Sequence, residues 1–104
     1  MNKLKIISKI ELERIISLHF KWLNGDNTGI RADLSYIDLR GMNLSNLNLS
    51  YANLSNSDLS CANLINSNLS HSDLSYTNLK NVLLKNTDFT DANLSNSSLM
   101  KIKY

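Results

Sequence analysis

The chain contains no proline, three glycines and one cysteine among its 104 residues. A single cysteine excludes a disulfide framework, so packing alone must hold the fold. No glycine-rich phosphate loop is present, and no apolar run approaches the ~20 residues of a membrane span. A strong charge of one sign is missing as well. The formal net charge of +2 is too small by itself to imply nucleic acid or membrane as a partner. It is unevenly spread: residues 1–31 carry six Lys or Arg against three Asp or Glu, and residues 32–104 carry five against six. Lys9, Glu11, Glu13 and Arg14 interrupt the early apolar residues, so no signal peptide is legible and a cytoplasmic location is the expectation.

What the chain does have is a repeat. From Leu34 to Leu99 an apolar residue returns every fifth position, fourteen in all, with Phe89 the single departure from leucine. A period of five fits neither the 3.6 of a helix nor the 2 of a flat strand. The residue before the leucine is Asp or Asn in twelve of the fourteen repeats, the exceptions being Leu83 and Ser98. Two positions before it stands a small residue, as in Ala32, Ala52, Ser57, Ala62, Ser67 and Ser72. Serine mostly follows the leucine, and then Asn or Gly, which tolerate the positive φ of a tight corner. A five-residue unit with two inward positions cannot bury its own apolar side, so units must stack.

This A-[DN]-L-S-x pattern, plain in Ala52-Asn53-Leu54-Ser55-Asn56 and Ala62-Asn63-Leu64, resembles the pentapeptide-repeat family. The resemblance implies an all-β solenoid: a right-handed quadrilateral β-helix, here of about three and a half coils, with the leucine and the small residue pointing inward. At the strand spacing such a rod is about 17 Å long. Leu18-His19-x-x-Trp22-Leu23 followed by Gly29-x-Arg31-Ala32-Asp33-Leu34-Ser35 also looks like the lead-in of many bacterial and phage members.

Before the repeats, Ser8-Lys9-Ile10-Glu11 has the spacing of a capping box, and Leu12, Ile15, Ile16, His19, Trp22 and Leu23 recur at helical steps. A helix over residues 9–23 is expected, stopped by Gly25; residues 2–7 are either an extended lead-in or an extra helical turn. The small inner position is broken three times running, by Ile37, Met42 and Leu47. Large residues fit where a helix lies across the end, so residues 1–31 are expected to cap the N-terminal mouth of a 32–104 solenoid. In that reading Trp22 and Leu23 pack near Ile37, Met42 and Leu47. At the other end Leu99, Met100, Ile102 and Tyr104 suggest either a symmetric end-to-end dimer or a tail covering its own mouth.

With four sides per coil, residues twenty apart stack in columns. Asp33 and Asp73 then share one side, Asp38 and Asp58 the next, and Tyr36 and Tyr76 the corner between them. Tyrosine beside acidic groups suits a binding surface; the plainer reading is that these aspartates make local turn hydrogen bonds. Ile65 and Leu83 are outward apolar exceptions on another side and form a second candidate contact.

Catalysis finds little footing. His19 lies on the apolar stripe of the helix, and Cys61 and His71 fall in diagonally opposite corner columns, too far apart for a shared metal or a thiol–imidazole pair. A filled axis leaves no pocket. The expectation is a non-enzymatic interaction module without cofactor, metal or small-molecule substrate. Its partner would be a protein, such as a larger nucleic-acid-binding enzyme or a phage-defence complex. The family resemblance adds a DNA-mimic inhibitor of type II topoisomerases, with a CRISPR effector as a further target by analogy. B-DNA presents one charge per ~1.7 Å, so a 17 Å mimic would want roughly ten, whereas the repeats hold six Asp against five Lys or Arg. Direct nucleic-acid binding through the basic ends lacks any interleaving of aromatic and basic residues. A purely structural rod remains as the plain alternative.

Overall fold

The computed structural model describes residues 3–98. Its backbone is a solenoid with a register of twenty. Parallel bridges link Asp33 to Asn53, Asp73 and Asn93; Asp38 to Asp58, Asn78 and Ser98; Asn43 to Asn63 and Leu83; and Asn48 to Asn68 and Asp88. Four five-residue steps therefore complete each turn, and like positions stack directly. The leucines from Leu34 to Leu79 are wholly buried, Leu84 is 8% exposed, and Phe89 and Leu94 are half-buried against the same core. Each contributes roughly 1.5–3 kcal/mol when fully covered. The small inner positions complete the packing, with Ala52, Ala62 and Val82 also inaccessible.

Every fifth residue from Tyr36 to Asn96 lies at positive φ, between 56° and 68°. In the type II corner the leucine carbonyl accepts from the small residue three positions on, as Ala52 N–H to Leu49 O at 3.0 Å. Asparagine and Gly41 suit the third position, but Tyr36, Tyr51, Cys61, His71, Tyr76 and Asp91 adopt the same conformation. A residue with a β-carbon sits there at a cost of about 1–2 kcal/mol. Regular coil-to-coil hydrogen bonds offset it, for example Leu54 N–H to Asp73 O, Asn56 N–H to Ser75 O and Asp73 N–H to Ala52 O, all 2.8–3.0 Å. The side chain before the leucine reinforces the corner: Oδ1 of Asp or Asn accepts the backbone N–H two residues on, at every such position from Asp33 to Asn93 except Leu83.

Two corners of the first coil differ. Met42 keeps the usual backbone bond to Leu39 at 3.2 Å, but the turns at Ile37 and Leu47 lack it. A buried serine twenty residues along replaces it. Ser57 Oγ accepts the Ile37 N–H at 3.0 Å and donates to the Leu34 carbonyl, and Ser67 does the same for Leu47 and Leu44. No buried side-chain polar atom among the described residues is left without a partner.

The lead-in is extended rather than helical: β1 (Lys5–Ile6) adds a parallel strand to β2 (Ile37–Asp38), with Lys5 opposite Ile37. It is followed by α1 (Lys9–Leu23), whose N-cap Ser8 accepts from Glu11 N–H at 3.1 Å. Only this half of the capping box forms, since the Glu11 carboxylate turns to Arg14 at 2.9 Å. Leu12 of the helix and Ile7 before it are buried with the core, and Ile15, Ile16, Met42 and Leu47 are half-buried against it.

Trp22 is placed differently from expectation. It lies at the rim, 38% exposed, stacked on His19 with centroids 5.6 Å apart and edge-on to Tyr51 at 6.4 Å. His19, three residues earlier, takes the fully buried place and the indole stacks outside it; Leu23 also lies outside the core cluster. Gly29 explains the closeness of the helix end to the chain returning to the first coil, because a β-carbon there would stand 2.1 Å from the Trp22 backbone nitrogen.

Candidate interaction surfaces

The corner between the first two sides rises directly from the repeat. Tyr36 and Tyr76 are 46% and 63% exposed and sit two coils apart in one column, held at φ near 60°. The bridges place Asp33 and Asp73 along one flank and Asp38 and Asp58 along the other. Each aspartate spends Oδ1 on its own turn. The turn thus occupies one oxygen of each carboxylate. In Asp38 the second oxygen meets Arg40 at 2.8 Å, and hydrogen bonding to this guanidinium holds the Asp38 carboxyl below its ordinary value. Three carboxylates on this corner, Asp33, Asp58 and Asp73, carry no ion pair among the described residues.

Ile65 and Leu83 do share one side. Leu83 bridges Asn63, two residues from Ile65, and both are half-buried. In the next corner column Asn86 donates to Asn66 at 3.2 Å, one rung of an amide ladder. The expected dimer residues Leu99, Met100, Ile102 and Tyr104 lie outside the described residues.

The fourth corner carries a feature that sequence reading only half found. Tyr51 and His71 stack face to face at 4.7 Å, Trp22 closes the upper end, and His71 Nε2 lies 3.9 Å from Asp91 Oδ2 below. The twenty-residue spacing of Tyr51, His71 and Asp91 signals the column; nothing in the repeat signals that the helix adds Trp22 to it. Arg31 Nε donates to the Tyr51 carbonyl, which ties the same corner to the segment leaving the helix. His19 is fully buried beneath, as its place on the apolar stripe implies.

A groove of about 260 Å³ runs between α1, β1 and the first side, floored by Ile7, Ile15, Leu18 and Ile37 and rimmed by charges of both signs. No cluster of three or more potential metal ligands exists among the described residues. No helix among the described residues is long and apolar enough to cross a membrane.

The pentapeptide repeats (8 copies) family profile matches residues 30–60 and 62–99. The chain belongs to the pentapeptide repeat family. Two solved pentapeptide repeat proteins share its fold. HetL from the cyanobacterium Nostoc sp. strain PCC 7120, a protein involved in heterocyst differentiation regulation, is 33% identical, with a TM-score of 0.56 over 71% of this chain and 37% of HetL. A pentapeptide repeat protein of the Arabidopsis thaliana thylakoid lumen is 25% identical, with a TM-score of 0.57 over 70% of this chain and 55% of its own. The chain thus spans about a third of one and about half of the other. No curated protein matches it. The solenoid of this pentapeptide repeat protein is accordingly the right-handed β-helix of the family.

Proposed function

We propose that this chain is an inhibitory docking module, laying one corner of its solenoid of about three and a half coils against a larger nucleic-acid-binding enzyme or phage-defence complex. Pentapeptide repeat proteins are in general non-catalytic structural or interaction modules. What carries the reading is the pair of exposed tyrosines, Tyr36 and Tyr76, presented on rigid left-handed corners between two files of aspartate. Aromatic side chains fixed in advance lose little conformational entropy on binding, and tyrosine is favoured at the centre of interfaces. Carboxylates around them suit a partner surface that is basic, as the DNA-binding face of a nucleic-acid enzyme is.

Charge density favours direct docking over close imitation of DNA. From Asp33 to Asp73 is two coils, about 10 Å, over which B-DNA would present about six charges. The corner offers three unpaired carboxylates over that distance. The test is inhibition of a purified type II topoisomerase or CRISPR effector by the parent, Tyr76→Ala and Asp58→Lys. Direct docking expects Tyr76→Ala to weaken inhibition at least tenfold at physiological salt. A DNA mimic expects Asp58→Lys and rising salt to dominate instead. Undiminished inhibition by both variants would remove this corner from the interface and leave the Ile65–Leu83 side, tested by Ile65→Ser with Leu83→Asn. Absence of inhibition with both enzymes would end the inhibitor reading for these targets and favour the structural rod.

A further inference from the structure

His19 is the one ionisable side chain among the described residues that is wholly inaccessible to solvent, and both its ring nitrogens are committed. The Ala32 backbone N–H donates to Nδ1 at 2.9 Å. That nitrogen must therefore be unprotonated, which makes the 2.8 Å contact of Nε2 with the Ser50 carbonyl an N–H donation. One neutral tautomer satisfies both partners. The two bonds span the junction between α1 and the first coil, reaching its first side at Ala32 and its fourth at Ser50. Trp22 covers one face of the ring.

From this geometry we infer that His19 is a proton-operated latch on the helical cap: protonation releases α1 from the mouth of the solenoid while the coils stay folded. An imidazolium carries a hydrogen on both nitrogens, so Nδ1–H would point at the Ala32 N–H. Two donors then face each other at a buried site with no acceptor between them. The ionisable groups on the adjoining elements offer no relief. Burial is the largest influence and holds the His19 imidazole below its ordinary value of 6.5; the bond to the Ser50 carbonyl opposes it, and Arg31, on the segment leaving the helix, repels the cation and adds to it. Tyr51 and His71 lie in the corner column beyond Trp22, and no carboxylate forms an ion pair with His19. The coils are independent of the latch because each side is hydrogen-bonded to the next coil along its length. Release would uncover Met42, which lines a shared hollow with Leu12 of α1, and the Ile37 end of the first side.

The sign follows from linkage. The folded cap prefers neutral His19, so docking is complete above the ordinary histidine value and falls as pH drops below it. The docked-to-released ratio should decline about tenfold per pH unit down to the folded-state value. Trp22, the single tryptophan, reports on the junction. The experiment lowers pH from about 8 to about 5 and follows Trp22 emission together with amide exchange, corrected for its intrinsic pH dependence. The expected result is a Trp22 transition with accelerated exchange in α1 while Leu64 and Leu69 amides stay protected. The transition should be lost in His19→Gln, which keeps a donor for Ser50 but cannot titrate, and kept in His71→Gln. Imidazole nitrogen shifts in the parent make the test independent of how well His19→Gln folds: the neutral Nε2–H form should give way to imidazolium in step with helix release. Formation of imidazolium with α1 still protected would overturn the inference. So would simultaneous loss of helix and coils, or a transition that depends on His71.

Discussion

Replacing Ser57 by alanine should destabilise this protein, although alanine stands at that position in four repeats, as often as serine. Ala52 and Ala62 occupy the same inward place without strain. Ser57 differs because its hydroxyl holds two backbone groups of the previous coil, accepting the Ile37 N–H at 3.0 Å and donating to the Leu34 carbonyl. Neither group has another backbone partner, since the turn's own bond between them is not formed. A buried polar group left alone costs about 1–3 kcal/mol, and closure of the turn recovers part of the loss of two, so about 2 kcal/mol is expected. Ser72 provides the matched control. It is equally buried, but its hydroxyl donates only to the Leu69 carbonyl, which already accepts the Ser72 N–H. Ser72→Ala should therefore cost less than about 1 kcal/mol. Urea unfolding followed by circular dichroism separates the two, because at an m-value of about 2 kcal/mol/M the Ser57 variant loses about 1 M in midpoint. Ser57→Thr, which keeps the hydroxyl, should recover most of it. Equal midpoints for Ser57→Ala and Ser72→Ala would refute the bridging argument.

Further outcomes are expected. Leu54→Ala, at a wholly buried axial position whose coils cannot collapse without breaking their ladder, should cost about 3–5 kcal/mol in the same unfolding assay. Gly29→Ala should displace the end of α1, read as increased Trp22 exposure to a soluble quencher with the coil signal in circular dichroism retained, because the new β-carbon would meet Trp22 backbone at 2.1 Å. Hydrogen bonds from Thr90 hold the Asp88 carboxyl below its ordinary value of 3.8, so its stabilising effect is present above that value and fades as pH falls below it. Asp88→Asn keeps the acceptor for the turn, as Asn48 and Asn68 do in the same column, and should leave the neutral-pH melting temperature unchanged while reducing the acid-induced loss below about pH 4.

Much of this architecture was legible because the repeat never slips. Fourteen apolar residues in one register predict which residues stack, and the bridges from Asp33 to Asn93 follow that spacing. The helix and its limits were readable from Ser8, the apolar stripe and Gly25. The corners were read through Asn and Gly alone. Tyr51, Cys61 and His71 have no intrinsic preference for positive φ, and adopt it because the hydrogen-bonded coils on either side dictate the backbone. The rim position of Trp22 escaped because it depends on fit between residues that no period connects; Ser57 lies one register from Ile37, but the repeat alone does not signal that its hydroxyl stands in for the turn bond there. The candidate corner was legible as a column, whereas the Arg40 bond that neutralises Asp38 depends on a side-chain conformation rather than on register.

The twenty-residue register also sets rules for how such a chain can change length. Inserting or deleting twenty residues adds or removes one storey and leaves every downstream face where it was. A change of five turns all that follows by a quarter revolution about the axis, so an aspartate file that lay beneath Tyr36 would continue under a different corner. A change that is not a multiple of five breaks the leucine register outright. Because α1 is locked to the first coil through His19, rotation is counted from that end. Length variation in this fold is thus angular as well as linear: two chains with the same repeats can present them in different directions, and short duplications can re-aim a surface without altering one residue of it.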